Sequence, residues 1–154
     1  MKTSSLIKTG AGFIALFLIV IQFFDTDKNI ATVPSDNAIE KHYQVPVHVL
    51  GLLKTSCYDC HSNTTAYPWY NNIQPVKWWL ADHVNSGKRH LNFDEFNSYS
   101  KEKKLKKLDE VAETIREGEM PLTSYTVVHQ NAKLTDTQKS EIEQWVNEVK
   151  KQIE

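Results

Sequence analysis

Residues 57–61 read Cys57-Tyr58-Asp59-Cys60-His61. The pattern is C-x-x-C-H, the spacing at which a c-type haem is attached. Two thiols three positions apart can each add to one vinyl group of the same porphyrin. The histidine that follows then lies under the iron and can ligate it through an imidazole nitrogen. These are the only two cysteines of the 154-residue chain, so no other thiol competes for the explanation. Two alternatives stand beside this reading. A redox disulfide of the C-x-x-C kind belongs near a βαβ pattern, and the sequence shows none. A zinc site needs two further ligands, which His42, His48, His83, His90 or His129 could supply.

Upstream of the motif, Pro46 is suited to the first helical position. Val47, Leu50 and Leu53 follow at helical spacing and lead into Cys57. Gly51 weakens that helix by about 1 kcal/mol relative to alanine, which suits either close approach of another helix or a surface position. Residues 62–75 carry turn chemistry, with Asn63, Pro68, Asn71, Asn72 and Pro75 around Tyr67, Trp69 and Tyr70. Such aromatics can wall a macrocycle or simply pack a loop on the core.

A second helix is expected over residues 76–86, stopped by Gly87. It carries Trp79, Leu80, His83 and Val84 on one face. His83 there is a candidate iron ligand, though a histidine on such a face is more often a core group. A third helix is expected over residues 100–117, ended by Gly118, with Leu105, Leu108, Val111, Ala112 and Ile115 at 3–4 spacing. Its first half is lysine-rich, and cations there oppose the helix dipole. That cluster reads either as a docking surface for an acidic partner or as a solvated face. Thr135-Asp136-Thr137-Gln138 is a capping box. It opens a last helix with Ile142, Trp145, Val146 and Val149 on one face, expected to pack across the helix leading into Cys57.

Met120 follows in a loop, before Pro121 and 59 residues after His61. A loop methionine is a poor packing residue and a good thioether ligand, so Met120 is the expected distal ligand to the iron. His83, His90 and His129 are the alternatives.

At the N-terminus, residues 1–8 hold Lys2 and Lys8 and no acid, and residues 10–24 are apolar except for Gln22. The basic flank and apolar run predict membrane targeting with the basic end in the cytoplasm. Residues 6–24 are about long enough to cross a ~30 Å core at 1.5 Å per residue. No small-residue cleavage site follows, so a retained anchor is expected, with a cleaved signal as the alternative. Residues 25–41 are polar and read as a linker, and residues 42–154 as the haem-binding domain. The net charge is −1, and without Lys2 and Lys8 the rest is more acidic, which gives no support for nucleic-acid binding.

Several blocks carry a family resemblance: YPWY at 67–70, QPVKWWLADHV at 74–84, LNF at 91–93, GEMPLTSY at 118–125 and LTDTQKSEIEQWV at 134–146. With the anchor and one C-x-x-C-H, the chain over about residues 40–150 resembles the bacterial haem-binding domain family of small, exported, single-haem proteins. In the order of its parts it also resembles class I cytochromes c, although the segment between the motif and Met120 is much longer than theirs. The resemblance implies thioethers at Cys57 and Cys60, His61 as proximal ligand and Met120 as distal one. The resulting expectation is an all-α, cytochrome c-like domain behind an N-terminal transmembrane or signal helix. It would hold one covalent haem c in the periplasm and pass single electrons to a redox partner protein, with no catalytic residue of its own. A haem-based sensor with a displaceable distal ligand and a zinc-stabilised interaction domain are the competing functions.

Overall fold

The structure, a computed structural model, describes residues 2–154, with side chains from residue 7 onward. It is all-helical, and an isolated antiparallel bridge between Ile30 and Thr64 is its one β-type pairing among the described residues. The chain divides into two compact units. One holds the residues up to 28 together with 66–83, the other residues 29–65 together with 84–154.

In the first unit, helix α1 (Lys2–Ile21) is followed by a turn at Gln22 and Phe23. The side chain of Gln22 is bonded in both directions to the backbone of Gln74: it accepts from the amide at 3.0 Å and donates to the carbonyl at 3.3 Å. The buried Gln74 side chain donates to the Phe24 carbonyl at 2.6 Å, and Lys77 pairs with Asp25 at 2.9 Å. The one polar residue of the apolar run thus has a structural partner. A 3₁₀ turn (Trp69–Asn72) leads towards the next helix.

The expected membrane-crossing helix is not found in that form. Among the described residues no helix is long and apolar enough to cross a membrane. The physical reason is that α1 ends at Ile21. Its uninterrupted apolar part after Lys8 and Thr9, residues 10–21, rises only about 18 Å at 1.5 Å per residue, short of a ~30 Å core.

The second unit is built around α2 (Ile39–His42), α3 (Val47–Ser56), α4 (Tyr58–His61), α6 (Lys101–Glu117), α7 (Thr123–Thr126) and α8 (Asp136–Ile153). Helix α5 (Val76–His90) begins in the first unit and ends in the second. The core joins Val49 and Leu53 of α3 to Leu108 and Ile115 of α6 and to Ile142, Trp145, Val146 and Val149 of α8. Each fully buried aliphatic side chain of this kind contributes about 1.5–3 kcal/mol. As expected, α8 packs on α3, and the Trp145 indole donates to the Gln44 carbonyl at 3.2 Å.

The local signals of these helices act as read. Thr135 and Gln138 form the reciprocal capping box. Ser100 caps α6, and Gly118 closes it at φ +77°, a conformation that favours glycine. The five lysines at the start of α6 turn back on their own chain. Lys101 donates to the Glu154 carbonyl, Lys103 lies over the Tyr99 ring, Lys104 donates to Asn97, and Lys106 and Lys107 pair with Glu110.

Three features depart from the sequence reading. The stretch expected as a linker carries structure: Ala31 donates to the Asn63 carbonyl, Thr65 to that of Asn29, and Ile39 is fully buried in the core. Gly87 does not stop the second helix, which runs on to His90. A 3₁₀ segment, Phe93–Ser98, puts Phe93 and Phe96 into the core. Both apolar residues lie in a stretch too short for a periodic signal.

Candidate functional site

Helix α3 delivers the chain to Cys57, whose amide donates to the Leu53 carbonyl at 2.8 Å. The Cys57 carbonyl then accepts from the amides of Cys60 (3.1 Å) and His61 (2.9 Å). One helical turn therefore carries both thiols and the imidazole, since positions three and four apart return to one side of a helix.

The thiols are free and half-buried. Burial pushes Cys57 up to about 12, with the neighbouring Cys60 adding to the shift, and Cys60 up to about 11, with Asp59 adding. Both are protonated at neutral pH. Among the described residues no group of three or more His, Cys, Asp or Glu gathers where a metal ion could be held.

His61 is oriented by its backbone surroundings. Its Nδ1 lies 3.0 Å from the Leu91 carbonyl oxygen. A carbonyl only accepts, so Nδ1 carries the proton and Nε2 keeps its lone pair. Burial holds the imidazole below its usual range, against the opposing pull of the Leu91 and Gly87 carbonyls. A neutral ring fixed by a backbone acceptor on one nitrogen is how a metal-ligating histidine is oriented.

The rest of the site holds this turn in place. A Cβ at Gly87 would stand 2.5 Å from the Cys60 carbonyl oxygen, so only glycine lets α5 lie this close to the turn. The Tyr125 hydroxyl donates to the Asp59 carboxylate at 2.7 Å, and Thr65 Oγ1 donates to the Asp59 carbonyl at 2.6 Å. Asn29 Nδ2 donates to the Ser62 carbonyl, and Lys88 donates to Asn29. Tyr58 stacks on Phe93 with ring centroids 5.4 Å apart.

Met120 lies in the loop after Gly118, half-buried, with its amide donating to the Thr114 carbonyl at 3.2 Å. It shares a unit with Cys57, Cys60 and His61. Among the alternative ligands, His90 is exposed at the end of α5. His129 stacks on Tyr125 at 4.4 Å. His83 sits in the other unit, its Nδ1 on the Trp79 carbonyl at 2.8 Å. Sequence reasoning missed the Leu91 carbonyl, the close approach at Gly87 and the Tyr125–Asp59 bond. Only the last left a trace, as the final residue of the GEMPLTSY block.

What the fold and site define is an all-helical domain that presents two free thiols and a neutral, oriented imidazole from one turn. The chain belongs to the haem-binding domain family, whose model matches residues 16–148. No curated protein and no solved structure matches it. The donor set fits the group the family binds: an imidazole with a free Nε2 lone pair suits iron, and two thiols beside it suit the vinyl groups of the same macrocycle. The chain is a haem-binding protein.

Proposed function

We propose that the chain holds one haem c covalently, through thioethers at Cys57 and Cys60, and serves as a membrane-attached one-electron carrier in the periplasm. When bound, haem supplies a ferrous/ferric couple at its iron. The residues of the chain do the rest. His61 Nε2 ligates the iron, and the Leu91 carbonyl fixes the plane and tautomer of the ring. The Met120 thioether would be the second side chain to hold the iron and would favour the reduced state. No side chain acts as a catalyst; the protein positions the haem and receives a redox partner protein. Residues 1–24 hold the domain at the membrane, a reading supported by the basic flank and by the exposed apolar side chains of α1.

The observation that carries the proposal is the Nδ1 bond of His61 to a backbone carbonyl, made by the histidine directly after C-x-x-C. The test is the absorption spectrum of protein produced with haem-maturation machinery, followed by acid–acetone extraction. A c-type reduced spectrum whose colour stays with the protein supports covalent attachment, and Cys57→Ala with Cys60→Ala should release it. A near-infrared sulfur-to-iron band that disappears in Met120→Ala supports the carrier. Absence of that band, with ready carbon monoxide binding, would replace the carrier by a ligand-binding sensor. Extractable haem would overturn covalent attachment.

A further inference from the structure

Residues 7–20 of α1 are exposed without exception. Within them, Phe13, Ile14, Leu16, Phe17, Leu18, Ile19 and Val20 are large, apolar and open. Successive residues step 100° around a helix, so residues 13–20 go round its circumference about twice. A protein partner covers a stripe of a helix; a helix apolar on every side is buried in a large core or in lipid, and the basic flank of Lys2 and Lys8 beside the apolar run selects lipid. That choice of occupant follows from the pattern itself.

The apolar surface does not stop where the helix stops. Phe23 is 83% exposed, and Phe24 is exposed beside it. Through the Gln22–Gln74, Gln74–Phe24 and Lys77–Asp25 bonds, the end of α1 is tied to the segment around the 3₁₀ turn and the start of α5. That segment presents Trp69, 75% exposed, together with Trp78, Trp79 and Ile73. Trp69 is thus widely exposed, and Trp78 and Trp79 partly so, on the segment bonded to the end of this apolar helix. They have the amphipathic character of residues that settle at the headgroup level.

We infer that the unit formed by the residues up to 28 and by 66–83 is a membrane-interface module, in which Trp69, Trp78 and Trp79 lie in the headgroup layer of the bilayer that receives α1. The contact with lipid therefore extends to a segment more than 40 residues downstream of the N-terminal helix. The inference rests on the membrane attachment proposed above and adds a second contact to it.

The test uses the full, haem-loaded chain in phosphatidylcholine vesicles carrying a diazirine near the headgroup end of an acyl chain. After illumination, digestion and mass spectrometry locate the lipid adducts, with Trp145, buried in the core, as internal reference. The expected result is labelling of residues 13–24 and of Trp69, Trp78 and Trp79, at each several-fold above Trp145. Labelling of residues 13–24 with the three tryptophans at the Trp145 level would overturn the inference and leave the attachment standing. No labelling above Trp145 anywhere would overturn both. A Trp69→Ser, Trp79→Ser chain gives a second reading: it should leave vesicles at several-fold lower urea concentration than the unaltered chain, and an unchanged release would count against the module.

Discussion

A methyl group at position 87 would meet the Cys60 carbonyl oxygen at 2.5 Å, whereas one at position 51 would meet nothing within 4 Å. Both glycines lie inside helices, so alanine should act in opposite directions. Gly51→Ala should stabilise the protein by about 0.5–1 kcal/mol, the ordinary helix-propensity gain. At Gly87 the same gain is outweighed by overpacking against backbone that cannot rotate away, a cost of about 1–3 kcal/mol. Urea unfolding of the two variants, with equal slopes, checks both signs; a stabilising Gly87→Ala would mean that α5 does not bear on Cys60. The pair also shows what a residue code conceals. The C-x-x-C-H motif is legible because its chemistry lies in five consecutive residues. The Leu91 carbonyl that fixes His61 has no side-chain signature, since any residue offers a carbonyl. Gly87 reads as a helix stop, because glycine after an amphipathic run is the stop signal and nothing local announces a neighbour 27 positions upstream.

At the scale of elements, the short helix α7 is tied to α4 by the Tyr125 hydroxyl on the Asp59 carboxylate. Met120 precedes α7 in the chain, and its amide is bonded to the last turns of α6. The methionine loop is thus held at both ends, by Thr114 before it and by Tyr125 after it. Tyr125→Phe removes one of these ties without removing the ring that stacks on His129. A hydrogen bond to a charged acceptor is worth about 1.5–3 kcal/mol, less where solvent reaches it, so the variant should lose about 1–2 kcal/mol. In haem-loaded protein the near-infrared band should weaken and carbon monoxide should bind more readily, while the C-x-x-C-H attachment remains. An unchanged band with the same loss of stability would make Tyr125 a packing residue only. The longer elements were legible: α6 and α8 each have a periodic apolar face, a cap and, for α6, a terminating glycine. The grouping of residues 66–83 with the N-terminal helix was not, because it depends on Gln22 and Gln74 meeting across 52 positions.

For the molecule as a whole, the unpaired thiols set a pH dependence that haem attachment should abolish. In the haem-free chain burial raises Cys57 and Cys60 above their ordinary value of 9.0, to about 12 and about 11. Above pH 9 the unfolded chain releases thiol protons that the folded chain keeps. The unfolded state then binds fewer protons, so stability falls as pH rises. The contribution is complete below pH 9 and lost progressively up to about 12. Tyr58 is raised as well, by burial first and then by the Glu40 carboxylate, and adds a loss in the same direction above pH 10. Thermal unfolding of the haem-free Tyr58→Phe chain between pH 8 and pH 11 isolates the thiols, and its midpoint should drop across that range. Cys57→Ala with Cys60→Ala in that background should flatten the dependence, and so should covalent attachment, which leaves no S–H to ionise. An equal alkaline drop in the haem-loaded Tyr58→Phe protein would show that the thiols had not been consumed. It would count directly against thioethers at Cys57 and Cys60, by a route independent of the visible spectrum.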